Sequence, residues 1–235
     1  MTDPEQLPLP LLPSRPARGK SDFFVSPANA MALAMIDAWP TWAGGKCLLI
    51  GPEGSGKSHL AQIWSDLSGA RIVSAQQLTQ TDIPQLATGP VCVEDADRIA
   101  GDRALEEALF HLHNLVLAQG HPLLITGRTA PGQWPLDVPD LKSRMMGTPS
   151  VQIDDPDDAL LGALLAKLFA DRQIVPAPDV LPYLVRVMPR SHQTAARLVD
   201  ALDAQALGRK GGITRPLAAK VLMQLEQIAP EAHNN

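Results

Sequence analysis

Residues 46–58 read KCLLIGPEGSGKS, and this stretch decides the fold. Four apolar residues, 47–50, end at Gly51, which is the pattern of a strand buried on both faces of a parallel sheet. Residues 51–58 match G-x-x-x-x-G-K-[ST], and helical spacing of apolar residues follows over 57–67. A strand, a glycine-rich turn and a helix, in this order, predict a phosphate-binding loop.

The residues of this loop suit a nucleotide. Its glycines let backbone N–H groups point inward and form, with the helix N-terminus, a positive nest for a phosphate. Lys57 is predicted to reach the β- and γ-phosphate oxygens, and Ser58 to ligate Mg²⁺. The predicted binding residues for ATP or ADP are Gly51, Pro52, Glu53, Gly54, Ser55, Gly56, Lys57, Ser58 and His59.

Two carboxylates follow another apolar run, at residues 91–93. A phosphate-binding loop works with an acidic group at the end of a neighbouring strand, which holds the metal, and with a polar group that orients the attacking water. We predict that Glu94 takes the metal-side role, beside Ser58, and that Asp95 orients the water.

The rest of the chain divides into two patterns. Strand patterns at 72–73, 91–93 and 122–126 alternate with helical patterns at 26–38 and 102–118, which predicts a parallel α/β sheet with helices on both faces. After residue 150 only helical patterns remain, the first with Asp155 as its cap and Pro156 at its first position. We predict an extended tail (1–20), a nucleotide-binding domain (21–152), an all-helical lid domain (153–229) and a disordered tail (230–235).

Composition limits the class of protein. Of the 235 residues, 45% are hydrophobic, which excludes a wholly disordered chain. The chain has 20 Lys and Arg against 25 Asp and Glu, a net charge of −5, which argues against a main role in neutralising nucleic-acid phosphates. The two cysteines lie in apolar runs, so we expect no disulfide and a reducing compartment. We find no membrane span and no secretory signal, and therefore expect a cytoplasmic protein.

Several segments together carry a family resemblance. In order along the chain they are DFFV at 22–25, GPEGSGKSHL at 51–60, VCVEDAD at 91–97, LLITGRTAP at 123–131 and DLKSR at 140–144. Over about residues 5–228 the chain resembles the AAA+ module of the bacterial initiator DnaA, and still more the Hda family of DnaA regulators. The resemblance implies a P-loop AAA+ fold, adenine-nucleotide binding and negative regulation of replication initiation.

The same resemblance assigns further roles. It implies that Arg144, in Ser-Arg context, reaches the γ-phosphate of a neighbouring subunit in trans, and that Thr126 lies at the polar sensor position, with Arg128 where an Asp is expected. At the position where the family has the sensor arginine of the lid, this chain has Gln193. Arg190 and Arg197, one helical turn to either side, remain alternatives for that role.

The N-terminal tail carries its own pattern. Leucines alternate with other residues over 6–11 (QLPLPL), so they share one face of an extended peptide that suits an apolar groove. The resemblance implies that Gln6, Leu7, Leu9 and Leu11 dock on the replication sliding clamp. About ten residues follow Leu225, too few for a helix-turn-helix reader, so we expect DnaA and the clamp as partners and no direct sequence-specific DNA binding. Self-association stays open.

Three functional hypotheses follow. The first is a regulator that promotes hydrolysis of DnaA-bound ATP through Arg144, with weak or partner-dependent ATPase activity of its own. The second is a nucleotide-bound adaptor that recruits or sequesters DnaA or another replication partner without catalysis. The third, a small-molecule phosphotransferase, shares the loop but lacks any specified acceptor site.

Overall fold

The computed structural model describes residues 23–206 and 212–228. The predicted clamp-binding residues, Gln6, Leu7, Leu9 and Leu11, and the predicted tail at 230–235 lie outside the described residues. The strands are β1 (Lys46–Ile50), β2 (Arg71–Ser74), β3 (Val91–Glu94), β4 (Leu123–Gly127) and β5 (Ser150–Gln152). The helices are α1 (Ala30–Asp37), α2 (Lys57–Ser68), α3 (Ile83–Leu86), α4 (Arg103–Ala118), α5 (Pro139–Met146), α6 (Asp158–Asp171), α7 (Val180–Val187), α8 (His192–Ala206) and α9 (Arg215–Ile228).

The strands form one parallel sheet in the order β2-β3-β4-β1-β5. Cys47 lies opposite Leu124 in β4, and Leu49 lies opposite Val151 in β5. Because the strands are parallel, their carboxyl ends meet at one edge, which brings together the segments that follow β1, β3 and β4.

The central strands are apolar because both faces of the sheet are covered. Leu48 and Ile50 face the core built with α4 and α5, whereas Cys47 and Leu49 face the core built with α1 and α2. This alternation places helices against both sides of the sheet and accounts for runs of four buried residues in β1. The five-stranded parallel sheet with helices confirms the predicted fold class of that part of the chain.

The last four helices pack around a separate core. Its fully buried side chains include Leu161, Leu165, Leu184, Leu198 and Val221. Among the described residues, no helix is both long enough and apolar enough to cross a bilayer.

Two predicted helix starts are wrong. The first helix begins at Ala30 rather than Ser26, because Asn29 accepts the Ser26 N–H (2.9 Å) and Ser26 accepts the Ala28 N–H (3.2 Å), which fixes a turn before the helix. The helix predicted from Asp155 begins at Asp158, since the carboxylate that accepts an amide N–H, from Leu160 at 2.8 Å, belongs to Asp157. Neither α5 nor β5 was predicted; β5 has three residues and only one of them is buried.

Candidate functional site

The loop between β1 and α2 forms a cradle that depends on its glycines. Gly54 and Gly56 have φ of +78° and +96°, a region that side chains with a Cβ rarely adopt. A Cβ on Gly51 would lie 2.6 Å from Ser55 Oγ and 3.1 Å from the Ile153 carbonyl oxygen. The loop therefore closes tightly on itself, and Gly56 directly precedes the first residue of α2.

Two side chains inside the cradle fit a phosphate group. Lys57 Nζ donates to the carbonyl oxygens of Gly51 (2.7 Å) and Pro52 (2.9 Å). Burial lowers the pKa of Lys57, while the charges of nearby carboxylates act in the opposite direction. The Ser55 hydroxyl is buried and makes no hydrogen bond with any described residue. A buried ammonium, an unpartnered hydroxyl and the N–H groups of a helix N-terminus are all suitable hydrogen-bond donors to phosphate oxygens.

A cavity of about 320 Å³ opens over the loop. The predicted residues that line it are Glu53, Gly54, Gly56, Lys57, Ser58, His59 and Asp95. Arg98 and Arg128 line it too, and neither was predicted as a site residue. The His59 ring also packs edge-on against Phe23, with ring centroids 5.2 Å apart.

Asp95 lies on a strained turn at the end of β3. Its φ is +56°, which is uncommon for a residue other than glycine. The backbone N–H of Asp95 donates to Thr126 Oγ1 at 3.0 Å, and Thr126 is 1% exposed at the end of β4. Thr126 therefore fixes the turn from which Asp95 enters the cavity, and Glu94, the last residue of β3, is not among the lining residues.

The oxygen donors fit a small hard cation. Ser58 is exposed and lines the cavity, and Asp95 lines it too. Within the described residues no group of three or more His, Cys, Asp or Glu forms a metal cluster. Mg²⁺ keeps several waters and takes few protein oxygens beside substrate phosphates, so a hydroxyl and a carboxylate meet its requirements.

The two arginines of the cavity are held differently. Arg128 Nε donates to Asp97 Oδ2 at 2.7 Å, and this hydrogen bond raises the pKa of Arg128. Arg98 approaches Asp95 at 3.5 Å and Glu53 at 3.9 Å and makes no hydrogen bond through its side chain to a described residue.

The first turn of α8 reaches the loop at Gly54. A Cβ on Gly54 would lie 3.0 Å from His192 Cβ and 3.4 Å from the backbone nitrogen of Gln193. His192 is buried, burial lowers its pKa, and its Nδ1 lacks a hydrogen-bond partner among the described residues. Of the three predicted lid sensors, only Gln193 lies in this turn. Arg190 pairs with Asp158 at 2.8 Å, and Arg197 is exposed farther along α8.

Arg144 lies away from the cavity. It is exposed on α5, and within the described chain no carboxylate pairs with it. Burial, with a smaller contribution from the charge of Arg144, lowers the pKa of Lys46, the first residue of β1, and the pKa of His113, whose Nε2 lies 3.4 Å from Lys46 Nζ. Arg144 is in the last turn of α5, shortly before β5 begins at Ser150, so it lies toward the amino ends of the strands, and the length of β1, about 13 Å, separates that edge from the loop.

Solved structures share this arrangement, although no protein-family model matches the sequence. Domain III of the Thermotoga maritima replication initiation protein DnaA superposes with a TM-score of 0.74 at 15% identity, over 91% of this chain and 98% of that one. AMPPCP-bound DnaA from Aquifex aeolicus gives 0.63 at 16% identity, over 91% and 70% of the two chains. This chain has the P-loop AAA+ fold.

The likeness extends beyond initiators. A variant of Thermotoga maritima RuvB gives a TM-score of 0.62 at 20% identity, over 87% of this chain and 71% of that one. Identities this low establish the fold alone, and function depends on the residues of the site.

Proposed function

We propose that this chain is a DnaA-related AAA+ regulator of chromosomal replication initiation. It binds an adenine nucleotide in the loop of residues 51–58 and presents Arg144 to the ATP site of DnaA, which promotes hydrolysis of DnaA-bound ATP. The observation that carries this proposal is an exposed arginine without a carboxylate partner among the described residues, at the sheet edge opposite the chain's own loop.

The loop supplies the nucleotide site. Backbone N–H groups at the start of α2 and the Lys57 ammonium hold the phosphates, and Ser58 would hold Mg²⁺, whereas Glu94, its predicted partner, does not line the cavity. Bound Mg²⁺ neutralises charge on the phosphate oxygens. The proposal is supported by the AMPPCP-bound DnaA structure, whose fold this chain shares.

Arg144 has the geometry of a group that acts on another molecule. The guanidinium at the amino edge cannot cross the sheet to its own loop, so any contact with a γ-phosphate is made in trans. An arginine supplied in trans accelerates related nucleotide hydrolases by about 10³–10⁵. An acceleration of this size is enough for the regulator to control when DnaA-bound ATP is hydrolysed.

The N-terminal peptide supplies the second partner in this proposal. Gln6, Leu7, Leu9 and Leu11 dock on the sliding clamp, which brings the regulator to replicating DNA. We expect Gln6→Ala with Leu9→Ala to abolish clamp binding and leave the melting temperature unchanged, because terminal segments of domains generally contribute little to stability. Unaltered clamp affinity would remove this part of the proposal.

The direct test is turnover of DnaA-bound ATP in the presence of clamp loaded on DNA. Wild type is expected to accelerate hydrolysis, and Arg144→Ala to lose at least about 100-fold of that acceleration while still binding DnaA in a pull-down. Arg103→Ala, an exposed arginine on α4 paired with Glu107, is the matched control and is expected to act like wild type. Equal turnover with Arg144→Ala would exclude the mechanism.

A second candidate is a nucleotide-bound adaptor without catalysis. It is favoured by Arg98, whose charge lies 3.5 Å from Asp95, the carboxylate expected to orient water. The two functions differ in one result. An adaptor binds DnaA without changing the rate of ATP hydrolysis, whereas the regulator changes that rate.

A further inference from the structure

Arg98 lies between the loop and the end of β3. It follows β3 on a short 3-10 turn (Ala96–Ile99), and its side chain lines the nucleotide cavity together with Lys57 and Ser58. Its guanidinium is 3.9 Å from Glu53 in the loop and 3.5 Å from Asp95 at the strand end. Arg98 thus bridges the two carboxylates across the mouth of the cavity.

These two ion pairs are weak. Charge-assisted hydrogen bonds between a guanidinium and a carboxylate are about 2.7–2.9 Å long, and both Arg98 contacts are longer. The side chains are also exposed, by 34% in Arg98, 39% in Asp95 and 56% in Glu53, so water screens the attraction. The oxygens of an incoming phosphate group therefore compete well with these carboxylates for the Arg98 guanidinium.

Arg128 shows the contrast. Its Nε is tied by a 2.7 Å hydrogen bond to Asp97, whose side chain is only 6% exposed, so its guanidinium is anchored at one position. No hydrogen bond to a described residue anchors the Arg98 side chain. Of the two cavity arginines, Arg98 is the one that is free to change partners.

We propose that Arg98 is a ligand in cis for the terminal phosphate of a nucleoside triphosphate. On binding, the guanidinium leaves Asp95 and Glu53 and takes two phosphate oxygens in its planar fork, which no ammonium group matches. The exchange sets Asp95 free to orient water only when a third phosphate is present. This inference rests on the proposed nucleotide site and adds the feature that distinguishes triphosphate from diphosphate.

The test is calorimetric titration of the full chain with ATP and with ADP, both with Mg²⁺. We expect Arg98→Ala to weaken ATP binding by about 10-fold or more and ADP binding by less than about two-fold. Arg98→Lys keeps the charge and loses the fork, so it is expected to recover only part of the ATP affinity. Arg103→Ala, on the exposed face of α4, is the matched control and leaves both affinities unchanged.

A double-mutant cycle separates partner exchange from simple charge effects. Glu53→Gln removes one of the carboxylates that compete for Arg98, so it is expected to raise ATP affinity in the wild-type background. If the effect acts through Arg98, it disappears when Arg98→Ala is already present. An equal gain in both backgrounds shows direct repulsion between Glu53 and phosphate and overturns the exchange.

The outcomes separate this inference from the proposed function. If wild type binds ATP and ADP, and Arg98→Ala changes both affinities equally or neither, Arg98 is not a terminal-phosphate ligand and the nucleotide site stands. If folded wild type binds neither nucleotide, both proposals fail. A melting curve of each variant shows that it is folded before titration.

Discussion

The two edges of the sheet carry their positive charge in opposite ways. At the carboxyl edge, Lys57 donates to loop carbonyl oxygens, and Arg98 and Arg128 lie against carboxylates. At the amino edge, Lys46 contacts the buried His113, and neither Lys46 nor the exposed Arg144 pairs with a carboxylate of the described chain. The first edge is organised to receive a ligand of its own, whereas the second leaves its cations available to another molecule.

The largest expected effect is the loss of nucleotide binding at the carboxyl edge of the sheet. Lys57→Ala removes the ammonium from the cradle and is expected to weaken adenine-nucleotide binding by about 100-fold or more. The melting temperature of wild type rises in excess ATP or ADP, because a ligand that binds only the native state stabilises it, and this rise disappears in the variant. Thermal melts with and without nucleotide measure this rise in wild type and in the variant. Lys167→Ala, on α6, is the control, and a full ligand-induced shift in Lys57→Ala would contradict the loop assignment.

The next effect tests how the start of α5, the helix that carries Arg144, is anchored. Glu106 is fully buried in α4 and accepts N–H groups from Gly101 (2.9 Å), Asp137 (2.9 Å) and Val138 (2.7 Å), the last two directly before α5. Glu106→Ala leaves three donors without this acceptor, so we expect a loss of about 3 kcal/mol in the free energy of unfolding.

Urea unfolding measures that loss, with Glu107→Ala as the matched control. Glu107 is exposed and pairs only with Arg103, so its loss is expected to stay below about 0.5 kcal/mol. Equal losses in the two variants would show that Glu106 does not anchor the segment before α5.

A smaller effect is the pH dependence of the amino edge. Burial lowers the pKa of His113 from 6.5 to about 4, so the unfolded chain binds a proton between these values while the native chain does not. Native stability therefore falls as pH drops through this window, by about 2 kcal/mol between pH 7 and pH 5 from this group. Urea unfolding of wild type and His113→Gln at both pH values isolates this contribution. Equal slopes with pH would contradict a neutral, buried His113.

The smallest expected effect sharpens the contrast between the edges. Arg144→Ala is expected to leave the chain's own affinity for ATP and ADP within about two-fold of wild type, since β1 separates Arg144 from the loop. Calorimetric titration measures this. A loss of ten-fold or more would place Arg144 in the chain's own site and remove the distinction between the two edges.

Much of the carboxyl edge could be predicted from the sequence. The loop is local in sequence, since its glycines, Lys57 and Ser58 lie between one strand and one helix, and Asp95 follows an apolar run directly. Strand patterns also gave the parallel sheet, except for β5, which is short and mostly exposed.

Other features depend on contacts between distant segments. Arg128 enters the cavity because β4 pairs with both β1 and β3, and His192 approaches Gly54 because α8 folds back over the loop. Glu106 is a buried carboxylate whose acceptor role depends on backbone groups 31 and 32 residues away. From the sequence pattern of a helix alone, a buried carboxylate such as Glu106 cannot be distinguished from an exposed neighbour such as Glu107.

The most direct test of the central claim is calorimetric titration of the folded full-length chain with ATP and with ADP in the presence of Mg²⁺. We expect heat from at least one of them, with one nucleotide bound per chain, and no such heat in Lys57→Ala. The absence of heat with both nucleotides in folded wild type would contradict the account.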